Sequence, residues 1–436
     1  MVPMADISPL KKDPCSGKTV LEIKNGMLSN EVLRLPRRPE ETETFLAALK
    51  PKKSSSYSTE PLFKALCSLG QPHKKMGRII HVTGSNGKTS VSSFCAAFSM
   101  KVLGLKTGLY TSPHISSLTE RIQINAKKIS MGELFKAVLA VASKAPFPLS
   151  YFELMTAAAF LVFSQKKTEA AVIEAGLGGG RDATNVVNGD VCVFTPVTTE
   201  HRDIIGPELR DICLEKAGII KKGSIVISSF KNTGIIEKIF KSESIKKRAL
   251  FSLSKKIESD RDWQEENIKL ASEAVSAFSG VDISGLLSSE GCIKKYSPPA
   301  RYEKLLYGDR FIVFDGAHNP QAFRKLLEGR RFGCAMVSFL SDKDVAGCLA
   351  ELERSCEKII ISSCSSYRAI EPEKIFTYAI DKRKYIVEKN LPLAIKKAFL
   401  IDKSLLVTGS LYFCSDVKAF IERRKISHPR EMIEKS

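Results

Sequence analysis

Short apolar runs alternate along this chain with stretches of helical spacing. The runs of strand type end at Thr83, Tyr110, Glu174, Pro196 and Ser228. Strand and helix in alternation predict a mostly parallel sheet covered on both faces. A polar, proline-containing passage, K-K-Y-S-P-P-A-R (294–301), then reads as a domain junction. A second alternation follows, with apolar runs at 311–315, 334–339, 358–363 and 404–410 suited to buried strands. The pattern predicts two α/β domains, with no internal repeat and no coiled coil. Residues 1–56 are rich in Pro, Lys and Ser. They are expected to form a variable, partly mobile segment with a short helix over 44–49. The two domains are expected over 57–296 and 297–436.

Composition narrows the class. The chain has 436 residues, 43% of them hydrophobic, so each domain can bury a core. No apolar run approaches the ~20 residues of a membrane span, and the N-terminus lacks the apolar segment of a signal peptide. Eleven cysteines, an odd number, include no C-x-x-C pair. Reduced thiols in a cytoplasmic protein are the expectation. The net charge is +19, from 67 Lys and Arg against 48 Asp and Glu. Solvated lysine-rich faces explain this most simply, and an anionic partner is the sharper reading. No nucleic-acid module is recognisable, so neither nucleic acid nor membrane is expected as a partner. No long heptad or dimer stripe is visible, and a monomer is expected.

The candidate chemistry stands where strands end, which is where open α/β sheets place ligands. R-I-I-H-V-T-G-S-N-G-K-T-S (78–90) is an apolar strand feeding a glycine-lysine-threonine loop and then a helical pattern. Glycines let backbone N–H groups approach phosphate oxygens, and the helix adds the positive end of its dipole. Lys88 would bring mobile charge to terminal phosphates, and Thr89 a hydroxyl for phosphate or Mg²⁺. Val82 stands where the usual Walker spacing wants glycine, and Asn-Gly-Lys is also an ordinary turn. Next, A-A-V-I-E-A-G-L-G-G-G-R-D-A-T-N (170–185) delivers Glu174 at a strand end before a glycine-rich loop. A carboxylate there suits a hard cation; the plainer alternative is a glutamate in solvent. His201 follows another apolar strand, where a structural or a functional role fits equally. Lys216 lies in a helical stretch and by itself reads as surface. F-D-G-A-H-N-P (314–320) ends a strand in Asp315. Asp315 suits a ribose hydroxyl and His318 a phosphate, while Asn319 before Pro320 also makes a helix cap.

Taken in order, these passages resemble the folylpolyglutamate synthase/dihydrofolate synthase family of the Mur ligase superfamily. The resemblance runs from about residue 62 to 417. It rests on H-V-T-G-S-N-G-K-T, G-L-Y-T-S-P-H-I with E-R-I, Y-F-E, E-A-G-L-G-G then D-A-T-N, E-K-A-G-I-I-K, D-G-A-H-N-P, S-D-K-D and T-G-S-L-Y. It implies an N-terminal Mur-ligase-type P-loop ATPase domain and a smaller, Rossmann-like C-terminal domain. The implied reaction is ATP-dependent amide formation between a folate-type carboxylate (dihydropteroate or folate) and L-glutamate, through an acyl phosphate. The alternative is a cell-wall amino-acid ligase acting on a different acid.

The same resemblance assigns residues. Ser85, Asn86, Gly87, Lys88 and Thr89 would cradle the ATP phosphates, and Asn267, Arg301 and Asp315 would contact ATP. The last two imply closure of the two domains over the site. Ser112, Glu174 and His201 look like Mg²⁺ ligands, with two ions implied. Lys216 matches the superfamily's carbamylated lysine. Lys88, Lys216 and His318 are the catalytic candidates. Tyr151, Phe152, Glu153 and Arg181 fall on the acceptor side. The chain departs from the family pattern in places. Thr89 replaces the usual Gly, Gly180 stands where Arg is usual with Arg181 one position later, Glu200 replaces Asp, and Ala300 replaces Gly. K-S-S-S-Y-S-T-E-P-L (53–62) replaces the D-L-G-L-E-R-like passage that helps hold dihydropteroate, which weighs against dihydropteroate as acceptor.

Overall fold

The computed structural model describes residues 35–49, 58–115, 117–199, 204–256, 263–283, 293–366 and 368–423. Most of the N-terminal segment expected to be mobile lies outside them, as do Glu200 and His201. The chain divides into two compact units, Met1–Tyr296 and Ser297–Ser436.

Eight strands build the sheet of the first unit: β1 (Arg78–Thr83), β2 (Thr107–Tyr110), β3 (Ile122–Ile124), β4 (Lys127–Lys128), β5 (Ala170–Glu174), β6 (Val191–Phe194), β7 (Ile225–Ser228) and β8 (Leu250–Leu253). Their spatial order is β4-β3-β2-β5-β1-β6-β7-β8. The strands from β2 to β8 in that order are mutually parallel, and β3 and β4 add an antiparallel edge. Sequence periodicity missed that edge because strands of three and two residues carry no readable period.

Side-chain alternation sends neighbouring residues to opposite cores. Ile79, Ala171 and Ile173 pack with the helices Glu60–Ser68, Met131–Lys144 and Tyr151–Lys166. Ile80, Val82, Val172 and Val193 pack on the other face with Lys88–Lys101 and Trp263–Ser279. Both faces are therefore buried, which is why these strands read as continuous apolar runs. Phe94, Phe98, Phe160 and Phe163 are completely or almost completely buried, each stabilising the fold by roughly 1.5–3 kcal/mol.

Helix starts follow the expected cap chemistry. Ser130 and Ser150 accept from the backbone N–H of Glu133 and Glu153, whose carboxylates return the bond to the serine N–H.

Six strands form the second sheet: β9 (Arg301–Tyr307), β10 (Arg310–Asp315), β11 (Phe332–Val337), β12 (Cys356–Ile361), β13 (Tyr385–Val387) and β14 (Ser404–Thr408). The order is β13-β12-β11-β14-β10-β9, parallel except for β9. β9 was not anticipated, because its half-exposed, charge-bearing residues follow directly on the passage read as a junction and form no apolar run. The described cysteines are all free thiols. No helix among the described residues is long and apolar enough to cross a membrane.

Candidate active site

β1 is central in its sheet, with β5 on one side and β6 on the other, and it delivers the loop 84–87 at its C-terminal end. Gly84 and Gly87 have φ of +145° and +88°. A Cβ on Gly84 would lie 1.9 Å from Thr195 Oγ1, and one on Gly87 2.7 Å from Asn267 Oδ1. The backbone must pass here without side chains. The loop is anchored on the segment after β6: Ser85 and Asn86 N–H donate to the Pro196 carbonyl at 3.0 and 3.3 Å. Thr198 N–H donates to Ser85 Oγ at 3.0 Å. Those bonds commit two loop amides to the protein. The first-turn N–H groups of the helix Lys88–Lys101, which have no partner within it, are the donors left over for an anion. Lys88 Nζ folds back on the carbonyls of Gly84 and Ser85 at 3.0 and 3.3 Å.

Glu174, at the end of β5, is 1% exposed. Its Oε1 accepts from Thr89 Oγ1 at 2.8 Å and its Oε2 from Ser112 N–H at 3.0 Å. One carboxylate thus gathers the ends of β1, β2 and β5. Among the described residues no three His, Cys, Asp or Glu cluster. Glu174 with the hydroxyls of Thr89 and Ser112 is instead a sparse, all-oxygen set. It fits a magnesium-like ion, which keeps waters and binds through one or two carboxylates plus phosphate.

Lys216 is not on the surface. It lies in the last turn of Leu209–Ala217, is 1% exposed, and its Nζ donates to the Gly84 carbonyl at 2.8 Å. The glycine loop after β5 explains how that helix comes so close. Gly180 N–H donates to the Glu215 carbonyl, and a Cβ on Gly218 would meet Gly180 Cα at 2.3 Å. Both atoms at that crossing are backbone, so Gly218→Ala is expected to destabilise the protein by about 1–3 kcal/mol. Urea unfolding with Gly132→Ala as an uncrowded comparison would measure it; a Cβ on Gly132 meets only Ser130 Oγ, at 4.0 Å. Arg181 lies on Glu215, its Nε 3.0 Å from Oε2.

On the other side of Glu174, the ring of Phe152 lies against Gly176, within 2.5 Å of a notional Cβ. Tyr151 faces the guanidinium of Arg121 at 5.2 Å, and Arg121 Nε donates to His114 Nδ1 at 2.9 Å. Glu153 is buried and completes the cap of its own helix, accepting from Ser150 N–H at 2.8 Å. Arg121 and His114 were not singled out from the sequence, although both lie inside the matching passages T-S-P-H and E-R-I.

In the second unit β10 and β14 are neighbours, which brings D-G-A-H-N-P beside T-G-S-L-Y. Asp315 accepts from the N–H of Tyr302 and Ala317 at 2.8 and 2.9 Å. Burial pushes its carboxyl up to about 6, with Arg301 pulling the other way. His318 Nδ1 donates to the Gly316 carbonyl at 2.8 Å, leaving Nε2 as the acceptor nitrogen. Asn319 caps the helix Pro320–Leu327. Within this unit Arg301, Asp315 and His318 converge: a Cβ on Gly316 would lie 2.8 Å from the Arg301 guanidinium.

Buried titratable groups set the acid response. Burial lowers His81 to about 3 and His114 to about 4, from an ordinary 6.5. The unfolded chain binds protons that these folded imidazoles refuse. Their contribution is complete above pH 6.5 and is lost as pH falls toward the folded values. Asp182 and Asp315, both raised by burial, act in the opposite sense, Asp315 only below about pH 6. With His73 lowered by burial in the same sense as His81 and His114, the histidines outnumber the two carboxylates, so the thermal midpoint is expected to fall between pH 6.5 and pH 5. A scan of that midpoint against pH checks it; a flat or rising profile contradicts the assignment.

Comparison with known proteins agrees with this geometry. Residues 82–286 match the family model of the Mur ligase middle domain. The dihydrofolate synthase/folylpolyglutamate synthase of Mycobacterium tuberculosis is 29% identical over 365 residues, 70% of this chain and 74% of the relative. The folylpolyglutamate synthase of Lacticaseibacillus casei is 28% identical over 412 residues, 84% of this chain and 95% of the relative. A crystal structure of M. tuberculosis folylpolyglutamate synthase complexed with ADP and AMPPCP has a TM-score of 0.76 at 26% identity, covering 88% of this chain and 98% of that one. With the glycine-lysine-threonine loop, the strand-end carboxylate and the buried helix lysine in place, the chain carries a Mur ligase middle domain and is similar over most of its length to folylpolyglutamate and dihydrofolate synthases.

Proposed function

We propose that this protein joins L-glutamate to a folate-type carboxylate at the expense of ATP. The observation that carries the reading is the meeting of Lys88, Thr89, Glu174 and Lys216 around one carbonyl and one carboxylate at the end of β1. A carboxylate oxygen of the acceptor attacks the γ-phosphorus, the bond to the β-phosphate oxygen breaks, and ADP leaves. The amine of glutamate then attacks the acyl phosphate, loses a proton, and phosphate departs. The first step brings anion to anion, so catalysis is positioning plus charge neutralisation.

Lys88 and the first-turn amides of its helix are proposed to hold the phosphates, with Asn267 against the loop. Glu174, Thr89 and Ser112, joined by His201, are proposed to hold Mg²⁺, which when bound neutralises phosphate charge. We assign a second ion to a carbamylated Lys216. In the second unit, Arg301 and Asp315 are proposed for the nucleoside and His318 for a phosphate. Tyr151, Phe152, Glu153 and Arg181 are proposed for the acceptor side, with Arg121 as an added cation. One chain carries all these residues, and a monomer is proposed as the working unit. The test is product mass after incubation with ATP, Mg²⁺, L-glutamate and either dihydropteroate or tetrahydrofolate. A gain of one or more glutamyl residues is expected. ADP release only with a UDP-muramyl acid and its amino acid would overturn the reading.

A further inference from the structure

His81 sits in β1, two residues before the strand ends, on the face opposite Ile80 and Val82. It is completely buried. Its Nε2 lies 2.9 Å from Thr184 Oγ1, and Thr184 Oγ1 lies 2.5 Å from Asp182 Oδ1. Asp182 Oδ1 also accepts from Thr184 N–H at 2.9 Å, and its Oδ2 from Leu177 N–H at 2.8 Å. The chain of bonds therefore runs from the strand that feeds the phosphate loop to the far end of the glycine loop 176–182.

The direction of the protons follows from what is satisfied. Both Asp182 oxygens are taken up as acceptors, so the single hydroxyl hydrogen of Thr184 goes to Oδ1. Thr184 Oγ1 then receives the proton of His81, which fixes the Nε2–H tautomer. His81 Nδ1 has no partner among the described residues. In this tautomer it is an unpaired acceptor; in the other it would be a buried N–H donor without an acceptor, which is costlier. Beside this chain of bonds, Thr83 Oγ1 donates to the Gly178 carbonyl at 2.6 Å. Two alternate residues of β1 thus pin the glycine loop at both ends.

That loop carries Arg181 and packs Gly176 on Phe152, whereas the phosphate loop has its own hydrogen bonds to the Pro196 carbonyl, Thr198 and Lys216. We propose that His81 is a positioning residue that acts through Thr184 and Asp182 to hold the glycine loop in place for the carboxylate acceptor. The assignment of that side to the acceptor rests on the glutamate-ligase reading; the hydrogen-bond relay does not.

The experiment uses the full chain with His81→Leu, Thr184→Val, the double variant, and His81→Gln, whose side-chain amide N–H₂ reaches the position of Nε2. Steady-state kinetics are measured with the pteridine acid and with ATP varied in turn. Hydrogen exchange is followed at the Leu177 and Thr184 amides. Each single variant is expected to raise KM for the acceptor about tenfold, the size of one lost buried hydrogen bond, with KM for ATP unchanged. Both amides are expected to exchange about tenfold faster. The double variant should be no worse than either single, and His81→Gln should restore KM and protection. Independent, multiplying losses in the double variant would overturn the relay, as would failure of His81→Gln to rescue while Thr184→Val behaves as described. Equal changes in both KM values would overturn the acceptor assignment. If the wild type turns over no pteridine acid, the functional reading fails, while exchange protection still decides the relay.

Discussion

Lys216→Ala is expected to lower turnover by about 10²–10³-fold, the range seen when one preorganised electrostatic group is removed from an active site. The residue is 1% exposed, and its Nζ is held 2.8 Å from the Gly84 carbonyl, inside the phosphate loop. If the neutral amine adds carbon dioxide, an N–C bond forms, one proton leaves, and the product is a carboxylate-like anion. The carbamate nitrogen keeps one N–H, which still donates to Gly84. The modification therefore adds a ligand for a second cation without breaking the contact that places the lysine. Short carboxylic acids such as formate or acetate, which fit the space opened by Ala, are expected to restore part of the rate. Lys216→Met, which fills that space, should lose the rate and resist rescue. Depleting dissolved carbon dioxide should slow the wild type alone. Thermal midpoints taken alongside separate lost chemistry from lost packing. An unchanged rate in Lys216→Ala, with or without added acid, would remove the carbamate role.

Glu174→Gln is expected to reduce turnover by a similar 10²–10³-fold and to raise the Mg²⁺ concentration needed for half-maximal activity at least tenfold. The fold should survive, because the amide can satisfy the Thr89 and Ser112 contacts. Its oxygen can accept from Ser112 N–H, and its N–H₂ can donate to the Thr89 hydroxyl, which is able to accept. What disappears is the negative charge in an all-oxygen site. Nucleotide binding without metal, followed by a fluorescent ATP analogue, should be unaltered. A large rate loss with an unchanged metal requirement would make Glu174 a brace for the β1, β2 and β5 ends rather than a ligand.

The phosphate loop, the strand that delivers Glu174 and the Asn319-Pro320 cap were legible in the residues themselves. Each is a contiguous segment whose backbone needs are local: glycine at positive φ, an apolar run ending in a polar side chain, a cap followed by proline. The short strands β3 and β4 were not legible, because two or three residues hold no period, and the half-exposed β9 begins where the passage read as a junction ends and forms no apolar run. Lys216 shows where local reading stops. A lysine in a polar helix looks solvated, and only the close crossing of Gly180 and Gly218 brings that helix beneath the phosphate loop.

By itself, then, the sequence determined the resemblance to the folate-type ligases, the class of both sheets and the glycine-lysine-threonine loop at the end of β1. These depend on short-range pattern and on motifs within single turns. The tertiary structure alone decided who meets whom. Glu174 joins Thr89 and Ser112 across 85 and 62 residues, and Lys216 reaches Gly84 across 132. His81, an ordinary strand residue in the sequence, becomes the start of a relay only when Thr184 is folded over it. The physical reason is strand order. With β1 between β5 and β6, the ends of three sequence-distant segments are forced into hydrogen-bond range, and burial then requires each polar group to find its partner there.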